Sequence, residues 1–240
     1  MFKKLTVAGV DLSRYGVVIS GDGAFDSAER DIETISVEGR NGDLTFDRGR
    51  YHNIEVRYPV SIAHKFPENA AGLRAFLGSL RGYQRIEDGY SPHTFRLGCF
   101  RGPVEYAVGP LCRTGQATLK FDCKPQRYLT AGEAAFEYCK SSWIVNPTPE
   151  IALPLVTVYG SGPGEFSIGG TTVQILSLDD QITLDCEIMN AYRQVGDSPA
   201  ENRNSAIYAP EFPVLSPGAN TISWTGDIER IRITPRWWTL

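Results

Sequence analysis

"VEGRNGDLTFDRGRYHNIEVRYPVSI", residues 37–62, sets a charged, glycine-bearing loop directly before a clean alternation. From Ile54 the even positions are Ile54, Val56, Tyr58, Val60 and Ile62, and the odd ones are Glu55, Arg57, Pro59 and Ser61. A period of two predicts a strand with one buried face and one face left to water or a partner. Pro59 has no N–H for a ladder, so the strand is expected at a sheet edge or to carry a bulge there. Asn41-Gly42 supplies residues that tolerate positive φ, which predicts a tight hairpin turn. Arg40, Asp43, Asp47 and Arg48 then offer paired charges, either for contact with another chain or as a solvated hairpin.

Working outward, a second strand is expected with Ala117, Leu119, Phe121 and Cys123 inside and Thr118, Lys120, Asp122 and Lys124 outside, ending at Pro125. Between the two strands lies the single helical pattern. Phe66-Pro67-Glu68-Asn69 places proline and an acid in a first turn. Leu73, Phe76, Leu77 and Leu80 follow at helical spacing, and Gly82 is the expected stop. Residues 83–100 read as turns and short strands around Asp88-Gly89.

The character changes over residues 129–149, where Asn146-Pro147-Thr148-Pro149 is stiff, so two domains are expected, 1–135 and 145–240. The second reads as a β-sandwich. Ile182, Leu184, Cys186 and Ile188 alternate with Thr183, Asp185, Glu187 and Met189, and polar residues 193–213 form a long loop.

The bulk numbers exclude several classes. A chain of 240 residues with 42% hydrophobic and 22% charged residues is globular, and no apolar run approaches the ~20 residues of a membrane span. Behind Met1-Phe2-Lys3-Lys4 no apolar stretch follows, so export by a leader is not expected. Residues 1–135 hold 18 Lys+Arg against 16 Asp+Glu, and residues 136–240 hold 6 against 12. Neither half has the basic excess of a nucleic-acid binder, so DNA would pass rather than be held. The five cysteines are odd in number and form no CxxC pair, which fits reduced thiols, with Cys123 and Cys186 on buried parity.

Motifs for chemistry are weak. His52, His64 and His93 have no metal-ligand spacing, and Ser91 near His93 lacks a nucleophile elbow. Gly160-Ser161-Gly162-Pro163-Gly164 fits neither dinucleotide nor phosphate-loop patterns and reads as a hairpin turn. Asp179, Asp180 and Asp185 could serve a calcium site or a glycosidase pair, but acidic turn residues are the simpler reading. Trp237-Trp238 predicts one core tryptophan and one outward anchor, because strand neighbours face opposite ways.

Taken in order, Val37 to Asp43, Tyr51-His52-Asn53, the strand and single helix, and Leu119 to Tyr128 resemble the distal tail proteins (Dit) of long, non-contractile-tailed bacteriophages. In the second half, Pro154 to Gly170, Ile182 to Glu187 and Phe212 to Ile222 resemble that family's galectin-like module. The resemblance implies a mainly β fold: an N-terminal split-barrel ring domain with one α-helix, then a galectin-like β-sandwich. It implies a homo-hexameric ring in the virion, made in the host cytoplasm, that joins the tail tube protein to a tail-tip hub or fibre protein. The genome would pass through its lumen, and the outer sandwiches could hold receptor-binding components. On this reading Arg40, Asp43, Asp47, Arg48, Asn53, Glu55 and Arg57 are candidate contacts, with Trp237 and Trp238 as an anchor. The family brings no catalytic residue, metal or cofactor. Two rivals stand beside it: a carbohydrate-binding adhesin, although residues 141–240 lack the histidine of the galectin sugar pattern, and a β-rich hydrolase of surface glycans, for which no paired acid motif is found.

Overall fold

A computed structural model of the chain describes residues 3–21, 26–194, 196 and 200–240. Two compact units result, Met1–Arg127 with Leu240, and Tyr128–Thr239. The first holds β1 (Leu5–Val7), β2 (Val10–Asp11), β3 (Val17–Ile19), β4 (Arg30–Ile35), β5 (Leu44–Tyr51), β6 (Ile54–Ile62), α1 (Phe66–Ser79), β7 (Gln84–Asp88), β8 (Thr94–Phe100) and β9 (Tyr106–Val108). The unit boundary falls within β10 (Gly115–Leu129). The second holds β11 (Phe136–Tyr138), β12 (Ser142–Asn146), β13 (Leu155–Ile168), β14 (Thr171–Ile175), β15 (Asp180–Asp185), β16 (Asn190–Arg193), β17 (Glu201–Asn202), β18 (Ile207–Tyr208), β19 (Gly218–Thr234) and β20 (Trp238–Thr239). No helix among the described residues is long and apolar enough to cross a membrane.

In the first unit the main sheet runs β2-β1-β7-β8-β10-β6-β3. Its ends approach each other: Lys3 bridges Ile19, whose N–H donates to the Lys3 carbonyl at 3.2 Å. That linkage curls the sheet into a split barrel. Inside it, Val56, Tyr58, Val60 and Ile62 of β6 meet Leu119, Phe121 and Cys123 of β10, all within 1% of full burial. Alternation along both strands therefore reports a buried face. Phe66, Ala70, Leu73 and Leu77 of α1 close the same core. A side chain at Gly115 would collide with the Phe66 ring, so β10 can pass the helix start only as glycine.

Three local expectations need correction. Helix α1 stops at Ser79, before Gly82, where the Ser79 hydroxyl donates to the Phe76 carbonyl at 2.7 Å. Strand β10 continues through Pro125 to Leu129. Its ladder with β6 ends at the Cys123–Ile54 pair, so the missing Pro125 N–H breaks no bond there. Asn41-Gly42 is not a two-residue hairpin turn, since the last β4–β5 pair is Ile35–Leu44. The turn sits earlier, where Arg40 N–H donates to the Val37 carbonyl at 3.1 Å around Gly39 at φ 77°. Pro59 stands where the short β3 ladder ends at Val60; its carbonyl accepts from Ser20 N–H at 2.9 Å.

The second unit is a sandwich built around two long bent strands. Leu155–Gly160 of β13 pairs with β15 on one side and the end of β19 on the other, whereas Gly164–Ile168 pairs with β14 and the start of β19. Each long strand thus serves both layers. The bend is Gly160 to Gly164, which is not a hairpin turn but the interior of β13. A side chain at Gly160 would strike the Asp227 carbonyl, at Gly162 the Asp227 carboxylate, and at Gly164 the Thr225 carbonyl. The glycines mark close approach of two backbones.

Val156, Val158, Phe166, Ile168, Ile182, Leu184, Ile222, Ile231 and Ile233 fill the space between the layers. The alternation at 182–189 ends early: β15 stops at Asp185, a turn follows, and Ile188 is 64% exposed. The expected long loop from 193 contains β17, a 3-10 turn at Asn204–Ala206 and β18, while residues 195 and 197–199 lie outside the described set.

Candidate functional site

Among the described residues, strands β4 and β5 form a two-stranded sheet of their own. Residues of both strands are nearly all exposed. One side of this arm carries Glu33, Ile35, Leu44, Phe46 and Arg48, as the Glu33–Phe46 and Ile35–Leu44 pairs dictate. At its outer end Ile35, Leu44 and Phe46 are 47%, 41% and 60% exposed, with Val37 at 41% in the connecting loop. A contiguous apolar tip without cover is expensive in water and marks an interaction surface.

Toward its base the arm is held by ion pairs. Arg48 meets Glu33 at 2.7 Å and Asp31 at 3.8 Å; Arg50 meets Asp31 at 2.6 Å. His52 Nε2 lies 3.6 Å from the same Asp31 carboxylate. On the other side Arg30 pairs with Asp47 at 2.7 Å, and Asp47 also accepts the Gly49 N–H at 2.8 Å. These contacts set the charges: the Arg50 hydrogen bond holds Asp31 below the ordinary carboxylate range, the Gly49 N–H and then Arg30 do so for Asp47, and Glu33 raises Arg48.

Four candidate residues therefore share the arm. Asp47 and Arg48 are engaged in holding it together, Asp43 accepts from the Ser36 hydroxyl at 3.2 Å, and Arg40 sits in the loop at the tip. The other three lie on the barrel wall. Asn53 donates to the Tyr83 hydroxyl at 2.7 Å, and Arg57 pairs with Glu55 at 2.6 Å on the outer face of β6. Across the strands Glu55 stands opposite Asp122 and Arg57 opposite Lys120. Like charges directly opposite are unfavourable, and here the acids are offset by neighbours, Glu55 by Arg57 on its own strand and Asp122 by Arg101 at 2.5 Å.

The tryptophan pair splits into one core and one partly exposed member. Trp237 is buried and its carbonyl accepts the Leu129 N–H at 2.8 Å; Trp238 is half-buried and donates its indole N–H to the Ile151 carbonyl at 2.9 Å. The carboxylates considered for metal or acid chemistry are taken by arginines. Arg236 grips Asp185 through two hydrogen bonds of 2.7 and 3.0 Å, and Arg193 lies 3.1 Å from Asp179 and 3.9 Å from Asp180. Among the described residues no cluster of three His, Cys, Asp or Glu side chains is placed to hold a metal.

Sequence reasoning located the arm's charges but missed its apolar tip. The available signal was the alternation of Ile35 with Val37 and of Leu44 with Phe46, which by pattern alone implies burial within the chain.

No protein-family model matches the chain, and no curated protein matches it in sequence. Its three-dimensional likeness is clear. A split barrel with one helix followed by a bent-strand sandwich is the fold of phage distal tail (Dit) proteins. The chain is similar over 100% of its length to 100% of the SPP1 Dit protein, a paradigm of the hub adsorption apparatus in phages infecting Gram-positive bacteria, with a TM-score of 0.76 and 13% identity. It is also similar to a chain of the phage P2 baseplate in its activated conformation with calcium, with a TM-score of 0.55 and 10% identity over 97% of this chain and 98% of that one. The strontium form of that baseplate gives 0.52 and 11% over the same shares.

Proposed function

We propose that this protein is a structural, non-enzymatic component of a phage tail tip, which closes into a ring of six copies between the tail tube and the tail-tip hub or fibre protein. The fold likeness supports the setting, and the observation that carries the ring is the free-standing β4–β5 arm. Its apolar tip is exposed among the described residues, and heterologous contacts that repeat around an axis generate rings. Residues 1–135 supply ring contacts: the arm tip with Arg40 and Asp43, and the outer face of β6 with Asn53, Glu55 and Arg57. Asp47 and Arg48 act by keeping the arm in shape. Residues 145–240 supply the contacts to adsorption or receptor-binding partners.

The net charge of the first half, close to neutral, suits a lumen that conveys DNA without holding phosphate. Size exclusion with light scattering, followed by negative-stain imaging, tests the ring. A closed cyclic oligomer is expected. A protein that stays monomeric both alone and in assembled tails would overturn the reading.

A further inference from the structure

One charged side chain lies inside the barrel of the first unit. Arg96 of β8 is 6% exposed, and it is the only charged side chain among the buried described residues. Its direction follows from the sheet. Arg96 stands directly opposite Ile86 of β7, a core residue. Gly98 shares that face two residues on, and a side chain there would strike the Cys123 thiol and Ile86. Arg96 therefore projects inward, close enough to Tyr58, Cys123 and Asp88 for their charges to bear on it.

The other buried polar side chains find partners. Asn146 donates to the Glu150 and Leu215 carbonyls, Thr148 to the Asn146 side chain and Asn220 to the Ser216 carbonyl, while the Thr183 and Thr157 hydroxyls meet at 3.1 Å. Arg96 does not: its Nη2 is sealed from solvent without a hydrogen-bond partner. Asp88, the one carboxylate whose charge bears on it, is already engaged. Its Oδ2 accepts the Tyr58 hydroxyl at 3.0 Å, and its Oδ1 accepts the Tyr90 and Ser91 N–H groups at 2.9 and 3.1 Å. A second guanidinium is near. Arg127 donates to the Asp26 carbonyl at 3.2 Å, and its charge adds to burial in holding the Arg96 guanidinium below its ordinary value.

We infer that the barrel interior beside Arg96 binds a small inorganic anion, a halide or an oxyanion of the phosphate class, which accepts the Nη2 N–H and neutralises the buried guanidinium. An unpaired buried charge is far costlier than an apolar side chain of the same size. A water molecule would accept the N–H but leave the charge uncompensated, whereas an anion does both, through the stronger charge-assisted bond. The occupant has to be small because the barrel's own side chains seal Nη2 from solvent. A carboxylate carried on a larger partner would not reach it.

The test is a set of thermal melts of the full chain at constant ionic strength, with bulky gluconate replaced stepwise by chloride or by phosphate. An anion at 100 times its dissociation constant should raise the barrel's melting midpoint by roughly 5–10 °C. In Arg96→Met, which keeps the length and removes the charge, only the small general effect of the salt should remain. Binding to the wild-type chain is read directly by calorimetric titration with phosphate and by broadening of the chloride NMR line. Heat with phosphate assigns an oxyanion, and chloride broadening alone assigns a halide-sized ion. Equal salt responses in wild type and Arg96→Met, or no binding by either direct method, would overturn the proposal. Should Arg96→Met not fold, the two direct measurements on the wild-type chain decide it.

Discussion

Replacing Phe46 by serine separates the arm's role in assembly from any role in folding. Phe46 is 60% exposed, so about 100 Å² of a ring of ~150–200 Å² awaits cover. At ~25 cal/mol per Å² its burial against a neighbouring subunit is worth about 2–3 kcal/mol. That corresponds to a loss of roughly 30-fold to 150-fold in the association constant of each contact. The fold should not notice, since Phe46 belongs to neither core, and surface changes of this kind stay within about 0.5 kcal/mol. Sedimentation velocity over a concentration series, beside thermal melts, measures both quantities. Phe46→Leu, which keeps most of the apolar area, should assemble nearly normally. If Phe46→Ser assembles at the wild-type concentration, the exposed tip is not the contact, and the reasoning from uncovered area fails.

Reversal of Arg40 together with Arg48 should weaken assembly several-fold while the melting curve of the barrel stays put. Arg48→Glu alone sets a third acid beside Glu33 and Asp31 and should loosen the arm, visible as faster amide exchange at residues 30–51. In the sandwich, burial by itself would raise the Asp185 carboxyl, but the Arg236 hydrogen bonds and charge, with backbone N–H groups, outweigh it and leave the folded value lowered. A lowered carboxyl contributes stability that is present above the unfolded pKa near 4 and lost as pH falls through the folded value. Arg236→Met should therefore cost about 2–3 kcal/mol at pH 7, and the deficit should shrink in urea titrations at acid pH; an equal deficit at both would contradict the pairing. All five thiols should titrate as free. Exposed Cys112 and Cys139 should react in the native protein, while Cys123 and Cys186, each pushed up to about 12 by burial, should react only after unfolding.

The parts legible in the sequence were those where one force acts alone. Burial on one face wrote the period of two into β6 and β10, and the spacing of Leu73 and Leu77 wrote α1. The parts missed were those where one pattern has two physical causes. Glycines at 160, 162 and 164 can make a turn or allow two backbones to touch, and only the position of Asp227 decides. Alternation at Leu44 and Phe46 can face a core or a partner, and sequence does not distinguish them.

Placement at the tail tip is tested most directly by immunogold labelling of virions with antibody against the purified chain. Gold clustered at the distal end of the tail is expected, at the junction of tube and tip. Gold along the tail tube, on the capsid, or absent from virions would contradict it.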